Sequence, residues 1–181
     1  MRSAGGRPGV DSQRRGGRPS RWLHVAALVY AAALAVVTLL PVSWSVGFDD
    51  DRWPTDNRPQ LVPFKGILFE LSRAPLETLV ELFGNVLLFV PLGFLLPLLF
   101  PAMRRWWQAL AVGAGVSLAI ELYQLTWPGV RKADVNDVLM NTLGALLGLA
   151  ALRVTERLLE RRLSRQGAGR RSPTGLGPRA R

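Results

Sequence analysis

Residues 131–148 predict a helix that is apolar around most of its circumference and polar or small along one stripe. Off the stripe, the segment is mostly Leu, Val, Met and Ala. Because residues three and four positions apart share a helix face, the stripe would meet partner helices while the rest of the surface meets an apolar solvent. That arrangement is typical of a helix in a bilayer. The residues of the stripe are Asp134, Asp137, Asn141, Gly144 and Gly148.

Four apolar blocks are each long enough to cross the hydrocarbon core of a bilayer. We expect the first to be a retained signal-anchor helix, because its apolar core (25–41) is long and no small-x-small cleavage pattern follows. The sequence therefore predicts an all-α integral membrane protein, a bundle of four transmembrane helices with disordered basic tails. The predicted spans are residues 22–46, 82–100, 107–125 and about 135–153.

Three segments make up the predicted domain organisation. Residues 1–21 contain six arginines and one acid among Gly, Pro and Ser, a composition that cannot bury a core. The chain from Arg153 onward contains nine arginines, and we expect a short helical extension followed by disorder. The predicted units are a cytoplasmic tail (1–21), a four-helix transmembrane domain (22–155) and a basic cytoplasmic tail (156–181).

The connection between the first two spans contains a second helical pattern. Residues 66–83 are amphipathic and predict an interfacial helix that leads into the second span. Within that span, Pro91 and Pro97 predict bends.

Basic residues are distributed unequally between the two sides of the predicted bundle. Seventeen lie in the two tails and the 101–106 turn, whereas six lie in the 47–81 loop and the 126–134 turn. Because basic residues concentrate on the cytoplasmic side, a multi-pass protein of the cell membrane with both termini cytoplasmic is expected. The net charge of +10 is thus a topology signal, and we expect no nucleic-acid partner.

Cysteine is absent and His24 is the single histidine. A disulfide framework, a thiol nucleophile and a Cys- or His-rich metal site are thereby excluded. We therefore expect neither a cofactor nor a metal centre, although paired carboxylates leave a divalent cation held by oxygen ligands as an alternative.

Polar residues of three predicted spans fall at a common depth, in the outer third of the bilayer. A rise of about 1.5 Å per residue gives Glu121 and Asn141 similar depths below the ends of their helices. Lys132 and its neighbour Arg131 lie in the turn above them. The candidate ligand-binding residues are Asn85, Glu121, Gln124, Arg131, Asp134, Asp137 and Asn141.

Small residues predict which helices approach closely. Ala109, Gly113 and Ser117 are spaced by four along the third span, and Gly144 and Gly148 form a small-xxx-small pair on the fourth. We expect these two spans to pack together, which would place Glu121 beside Asp137 and Asn141. Two structural alternatives remain open at this point: the polar residues act only as interhelical hydrogen-bonding groups, or the two aspartates cap the fourth span.

Three ordered motifs resemble the VanZ-like family. They are N-x-x-L-F-x-P-x-G-F-x-L-P at 85–97, S-x-x-I-E-x-x-Q at 117–124 and R-x-x-D-x-x-D-x-x-x-N-T-x-G at 131–144. Residues 61–64 also resemble the family's segment before the second span, and the likeness covers most of 23–153. The family positions in this chain are Asn85, Pro91, Gly93, Glu121, Gln124, Arg131, Asp134, Asp137, Asn141 and Gly144.

The resemblance implies a small bacterial membrane protein of about four spans. The family is named for a protein associated with resistance to the glycopeptide antibiotic teicoplanin, so a role in the cell envelope is implied. The first hypothesis is a non-catalytic protein that binds a lipid-linked wall precursor or a lipidated glycopeptide. The second is an enzyme that uses Glu121 with Asp134 or Asp137 as acid and base. The third is a proton- or ion-coupled transporter.

Overall fold

The computed structural model describes residues 20–39, 60–126 and 134–169, with side chains as far as 166. Within these ranges every regular element is a helix, in agreement with the predicted all-α class. One isolated bridge pairs Gln60 with Asp134. The helices are α1 (Arg21–Leu39), α2 (Ile67–Arg73), α3 (Pro75–Leu99), α4 (Trp106–Gln124) and α5 (Val135–Gly169).

Three of these helices, α1, α3 and α5, are long and apolar enough to cross a membrane. The helix at the predicted third span, α4, has 19 residues and is therefore about 28 Å long, which matches a bilayer core. Its polar residues Gln108, Glu121 and Gln124 lower its hydropathy. The α3 and α5 helices thus correspond to predicted spans, as does α1 over its described part.

The predicted interfacial helix over 66–83 is interrupted at Ala74, which separates α2 from α3. Ala74 has φ −137° and ψ 65° because the ring of the following Pro75 disfavours the helical conformation there. Pro75 then occupies the first turn of α3, where its missing N–H costs nothing. The second span consequently begins seven residues before the predicted start at residue 82, and α3 continues through both internal prolines.

The backbones of α3 and α5 approach each other closely. A Cβ on Gly144 would overlap the carbonyl oxygen of Val86 and lie 3.0 Å from its carbonyl carbon. A Cβ on Gly148 would lie 2.9 Å from the carbonyl carbon of Val90. The small pair of α5 therefore packs on the second span. Its predicted placement against the third span is wrong, because α5 lies between two neighbours and this part of the stripe turns toward α3.

Contact between α4 and α5 uses the small residues of α4, as their spacing predicts. Ala109, Gly113 and Ser117 are buried. A Cβ on Gly113 would lie 2.8 Å from the Cβ of Ala145, so the two backbones approach closely at this point.

The α1 helix attaches through a hydroxyl and an apolar cluster. The hydroxyl of Tyr30 donates to the carbonyl of Leu88, with an O···O distance of 2.9 Å. Leu34 packs in a buried cluster with Phe89 of α3 and Ile120 of α4. Outward-facing positions of the bundle are instead exposed apolar residues, as expected for helices surrounded by lipid.

The turn at residues 100–105 is fixed to the far half of α5. Arg104 forms an ion pair with Glu156, and the guanidinium of Arg153 donates to the backbone carbonyl of Arg104 at 2.7 Å. These contacts mark one end of the bundle, which we call the turn end.

Candidate functional site

At the end opposite the turn end, α1 and α4 finish while α3 and α5 begin. Polar side chains from several helices meet here, and most of them are buried. We call this group the polar layer. Its members are Thr38, Asn85, Ser117, Glu121, Gln124, Asp134, Asn136, Asp137 and Asn141.

The first interhelical bond of the layer joins α3 to α5. The amide nitrogen of Asn85 donates to Oδ1 of Asp137 at 2.6 Å. A carboxylate acceptor makes this hydrogen bond shorter and stronger than one between neutral groups. Two predicted site residues, 52 positions apart in sequence, are thereby brought together.

Glu121 connects the end of α4 to the start of α5. Its side chain is 5 % exposed, and Oε2 accepts the backbone N–H of Asp134 at 2.9 Å. A carboxylate near the N-terminus of a helix also interacts favourably with the helix dipole. The sequence predicts Glu121 beside Asp137 and Asn141, whereas its described hydrogen bond is made to Asp134.

Asp134 caps α5. Its Oδ1 accepts the backbone N–H of Asn136 at 2.8 Å, which is the hydrogen bond of an N-cap residue to the second helical position. The capping interpretation is therefore confirmed for the side chain of Asp134. The described hydrogen bond of the Asp137 side chain is made with Asn85.

A second pair joins α4 to α5 one turn deeper. The amide nitrogen of Asn141 donates to Oγ of Ser117 at 2.8 Å, and the two residues are 4 % and 0 % exposed. Over the described residues, Oδ1 of Asn141 has no hydrogen-bond partner. A buried acceptor without a donor costs about 1–3 kcal/mol.

Gln124 contacts a different part of the bundle. Its amide nitrogen donates to the backbone carbonyl of Thr38 at 3.0 Å, which fixes the end of α4 to the end of α1. Gln124 is thus a buried member of the layer, but its described hydrogen bond is made to α1 rather than to the stripe of α5. Arg131 and Lys132 lie outside the described residues.

Asn136 is a buried member of the layer that the stripe does not predict. Its Oδ1 accepts the backbone N–H of Phe64 at 2.8 Å, and Phe64 has a left-handed φ of 59°. The backbone carbonyl of Gln60 accepts the N–H of Val135 at 3.0 Å, so the segment 60–66 is held against the start of α5. Asn136 lies between two stripe positions, so helical spacing does not select it. A polar amide in the first turn of an apolar span is the sequence feature that could have identified it.

The layer offers mainly oxygen acceptors and amide donors, and its described bonds hold helices together. Over residues 20–39, 60–126 and 134–169, no group of three or more histidine or carboxylate side chains is placed to hold a metal ion. One buried acceptor, Oδ1 of Asn141, is satisfied by no described group. The arrangement can therefore lock the bundle while one buried acceptor stays unpaired.

Comparison with known proteins identifies a family. The sequence model of the VanZ/LLP1 family matches residues 27–156, a range that includes the whole polar layer. No curated protein and no solved structure matches the chain. The match extends over well more than half of the sequence and contains all three motifs, so the chain belongs to the VanZ/LLP1 family.

Proposed function

We propose that the protein is a multi-pass protein of the cell membrane in which α4 is a fourth span beside α1, α3 and α5. The length of α4 and the burial of Glu121 and Gln124 support this topology, because lipid would meet exposed side chains such as Leu118 and Leu122. The bias of basic residues supports cytoplasmic termini. The polar layer then opens toward the outer face.

The polar layer, in this proposal, binds a lipid-linked or lipidated ligand. Its biological role would be cell-envelope modification or resistance to a glycopeptide such as teicoplanin. The observation that carries the proposal is the convergence of buried and half-buried polar groups from α3, α4 and α5 at one end, with a buried acceptor left unpaired. The proposed ligand-binding residues are Asn85, Glu121, Gln124, Arg131, Asp134, Asp137 and Asn141.

We favour binding over catalysis because two of the candidate acid–base groups already accept hydrogen bonds that hold the helices. The carboxylates of Glu121 and Asp134 each accept a backbone N–H at the start of α5. An acid–base reaction would have to compete with those bonds, whereas a binding site can retain them. The enzyme alternative, with Glu121 and Asp134 or Asp137 as the acid–base pair, is decided by the following experiment.

The test uses the full chain in lipid, incubated with a lipid-linked wall precursor or with teicoplanin and followed by mass spectrometry. We expect retention of the ligand without chemical change. Single substitutions at Asn85, Asp137 and Asn141 should weaken retention in graded steps of about 1–3 kcal/mol each. Turnover that disappears in Glu121→Gln or Asp137→Asn would overturn the binding proposal and establish the enzyme.

A further inference from the structure

At the turn end, α5 continues past the other helices of the bundle. It begins at Val135, so its first ~20 residues span about 30 Å, the thickness of a bilayer core. Leu152 is its last buried residue, and all side chains from 157 to 166 are exposed. These residues add about 15 Å of helix beyond the level of the 100–105 turn. We call residues 157–166 the basic extension.

Tryptophans mark the boundary between membrane and water at this end. Trp22 lies in the first turn of α1, and Trp106 and Trp107 begin α4. All three are exposed, and tryptophan is enriched at the level of the lipid headgroups. Arg104, which precedes α4 by two residues, forms an ion pair with Glu156. The membrane boundary on α5 therefore lies near Glu156.

Positive charge predominates on the basic extension. Its sequence contains one acid, Glu160, and four arginines, which are Arg157, Arg161, Arg162 and Arg165. Within residues 20–39, 60–126 and 134–169, the side chains of these arginines make no ion pair or hydrogen bond. Arg157, Arg161 and Arg165 are four residues apart and therefore lie along one stripe of the helix. The extension thus presents exposed guanidinium groups directly beside the membrane boundary.

We propose that the basic extension binds the anionic headgroups of phospholipids in the leaflet at the turn end. Charge complementarity supports this partner, since a basic residue near an anionic membrane surface contributes about fivefold to affinity. Val154 and Leu158 are exposed apolar residues at the same level, where acyl chains rather than water would cover them. The inference requires that α5 crosses the bilayer, and it does not depend on what the polar layer binds.

Distance from the membrane boundary at Glu156 ranks the arginines. Along the helix axis, Arg157 is about 1.5 Å from that residue, Arg161 about 8 Å and Arg165 about 14 Å. Attraction to the surface falls off within a Debye length, which is about 8 Å at physiological ionic strength. Arg157 should therefore contribute most and Arg165 least. A soluble acidic partner would instead depend on the far end of the extension, where Leu163 is exposed.

The experiment measures lipid retention by native mass spectrometry on the full chain in nanodiscs. The nanodiscs contain equal amounts of phosphatidylglycerol and phosphatidylcholine with identical acyl chains, so that the probes differ in their headgroups alone. We expect the wild-type protein to retain phosphatidylglycerol roughly tenfold better or more, because several arginines contribute. This enrichment should fall as the ionic strength during equilibration rises. Equal retention of the two lipids by the wild type would overturn the inference.

Two variants that remove the same charge from the same stripe locate the binding surface. Arg157→Gln should lower the enrichment about fivefold, whereas Arg165→Gln should lower it about twofold or less. Both positions are exposed and glutamine is a good helix former, so neither change should disturb folding. Equal losses in the two variants would overturn the inference. A larger loss in Arg165→Gln would also overturn it, in favour of a soluble acidic partner.

Discussion

At the scale of single residues, two carboxylates of the polar layer accept hydrogen bonds that connect helices. Oε2 of Glu121 accepts from a backbone N–H, and Oδ1 of Asp137 accepts from Asn85. A carboxamide oxygen can accept either bond. Changing the carboxylates to amides therefore removes charge and preserves these described contacts.

We predict that Glu121→Gln and Asp137→Asn impair function much more than they impair stability. Both variants should reach the membrane at wild-type levels, because the described hydrogen bonds persist. The measurement is glycopeptide susceptibility in a host without its own copy, with protein levels checked by immunoblot. Wild-type resistance from both variants would refute the charge requirement, and loss of the protein would assign the residues to packing.

Two substitutions of Asp134 distinguish its capping role from its charge. Asp134→Ala should lower the free energy of unfolding by about 0.5–2 kcal/mol, because the N–H of Asn136 loses its acceptor. Asp134→Asn keeps an N-cap acceptor and should remain close to wild type. The measurement is the thermal unfolding midpoint of purified protein in detergent. Equal destabilisation by the two changes would contradict the capping role.

At the scale of helices, apolar block length predicts most of the fold, but side-chain pattern does not identify the neighbours. The stripe on α5 correctly indicates inward-facing positions, since Asn141, Gly144 and Gly148 are buried. It gives no information on which helix each one meets. A helix with two partners divides its stripe between them, so Gly144 contacts α3 while Asn141 bonds to α4.

Other features of the site depend on local backbone events that periodicity does not reveal. The left-handed Phe64 directs its N–H to Asn136, a residue between stripe positions. The break at Ala74 follows from Pro75. It could have been predicted, because the residue before a proline disfavours the helical conformation. The bond from Gln124 to Thr38 depends on how α1 docks, which no pattern within either helix specifies.

The close approach of α3 and α5 at Gly148 gives a prediction for which Gly115 on α4 is the control. Gly148→Ala should destabilise the bundle by about 1–3 kcal/mol, since its Cβ would meet the backbone of Val90 and the rigid helices must separate. Gly115→Ala on α4 has open space around the new Cβ and should be neutral or slightly stabilising. Thermal unfolding of both variants in detergent checks this, and equal effects would contradict the α3–α5 packing.

At the scale of the whole molecule, the charge distribution and the two ends of the bundle agree on one orientation. The turn end contains Arg104, Arg105 and Arg153, and the polar layer lies at the other end. If the basic end is cytoplasmic, the layer faces outward and can be reached by an envelope ligand. This orientation, together with passage of α4 through the bilayer, is the central claim of the account.

Cysteine labelling on intact cells tests that claim most directly, because the chain contains no cysteine of its own. Single variants Ser12→Cys, Asp56→Cys and Gly129→Cys would be exposed to a membrane-impermeant thiol reagent. We expect labelling of Asp56→Cys and Gly129→Cys in intact cells, and labelling of Ser12→Cys only after permeabilisation. Labelling of Ser12→Cys in intact cells, or protection of either of the other two, would contradict an outward-facing polar layer.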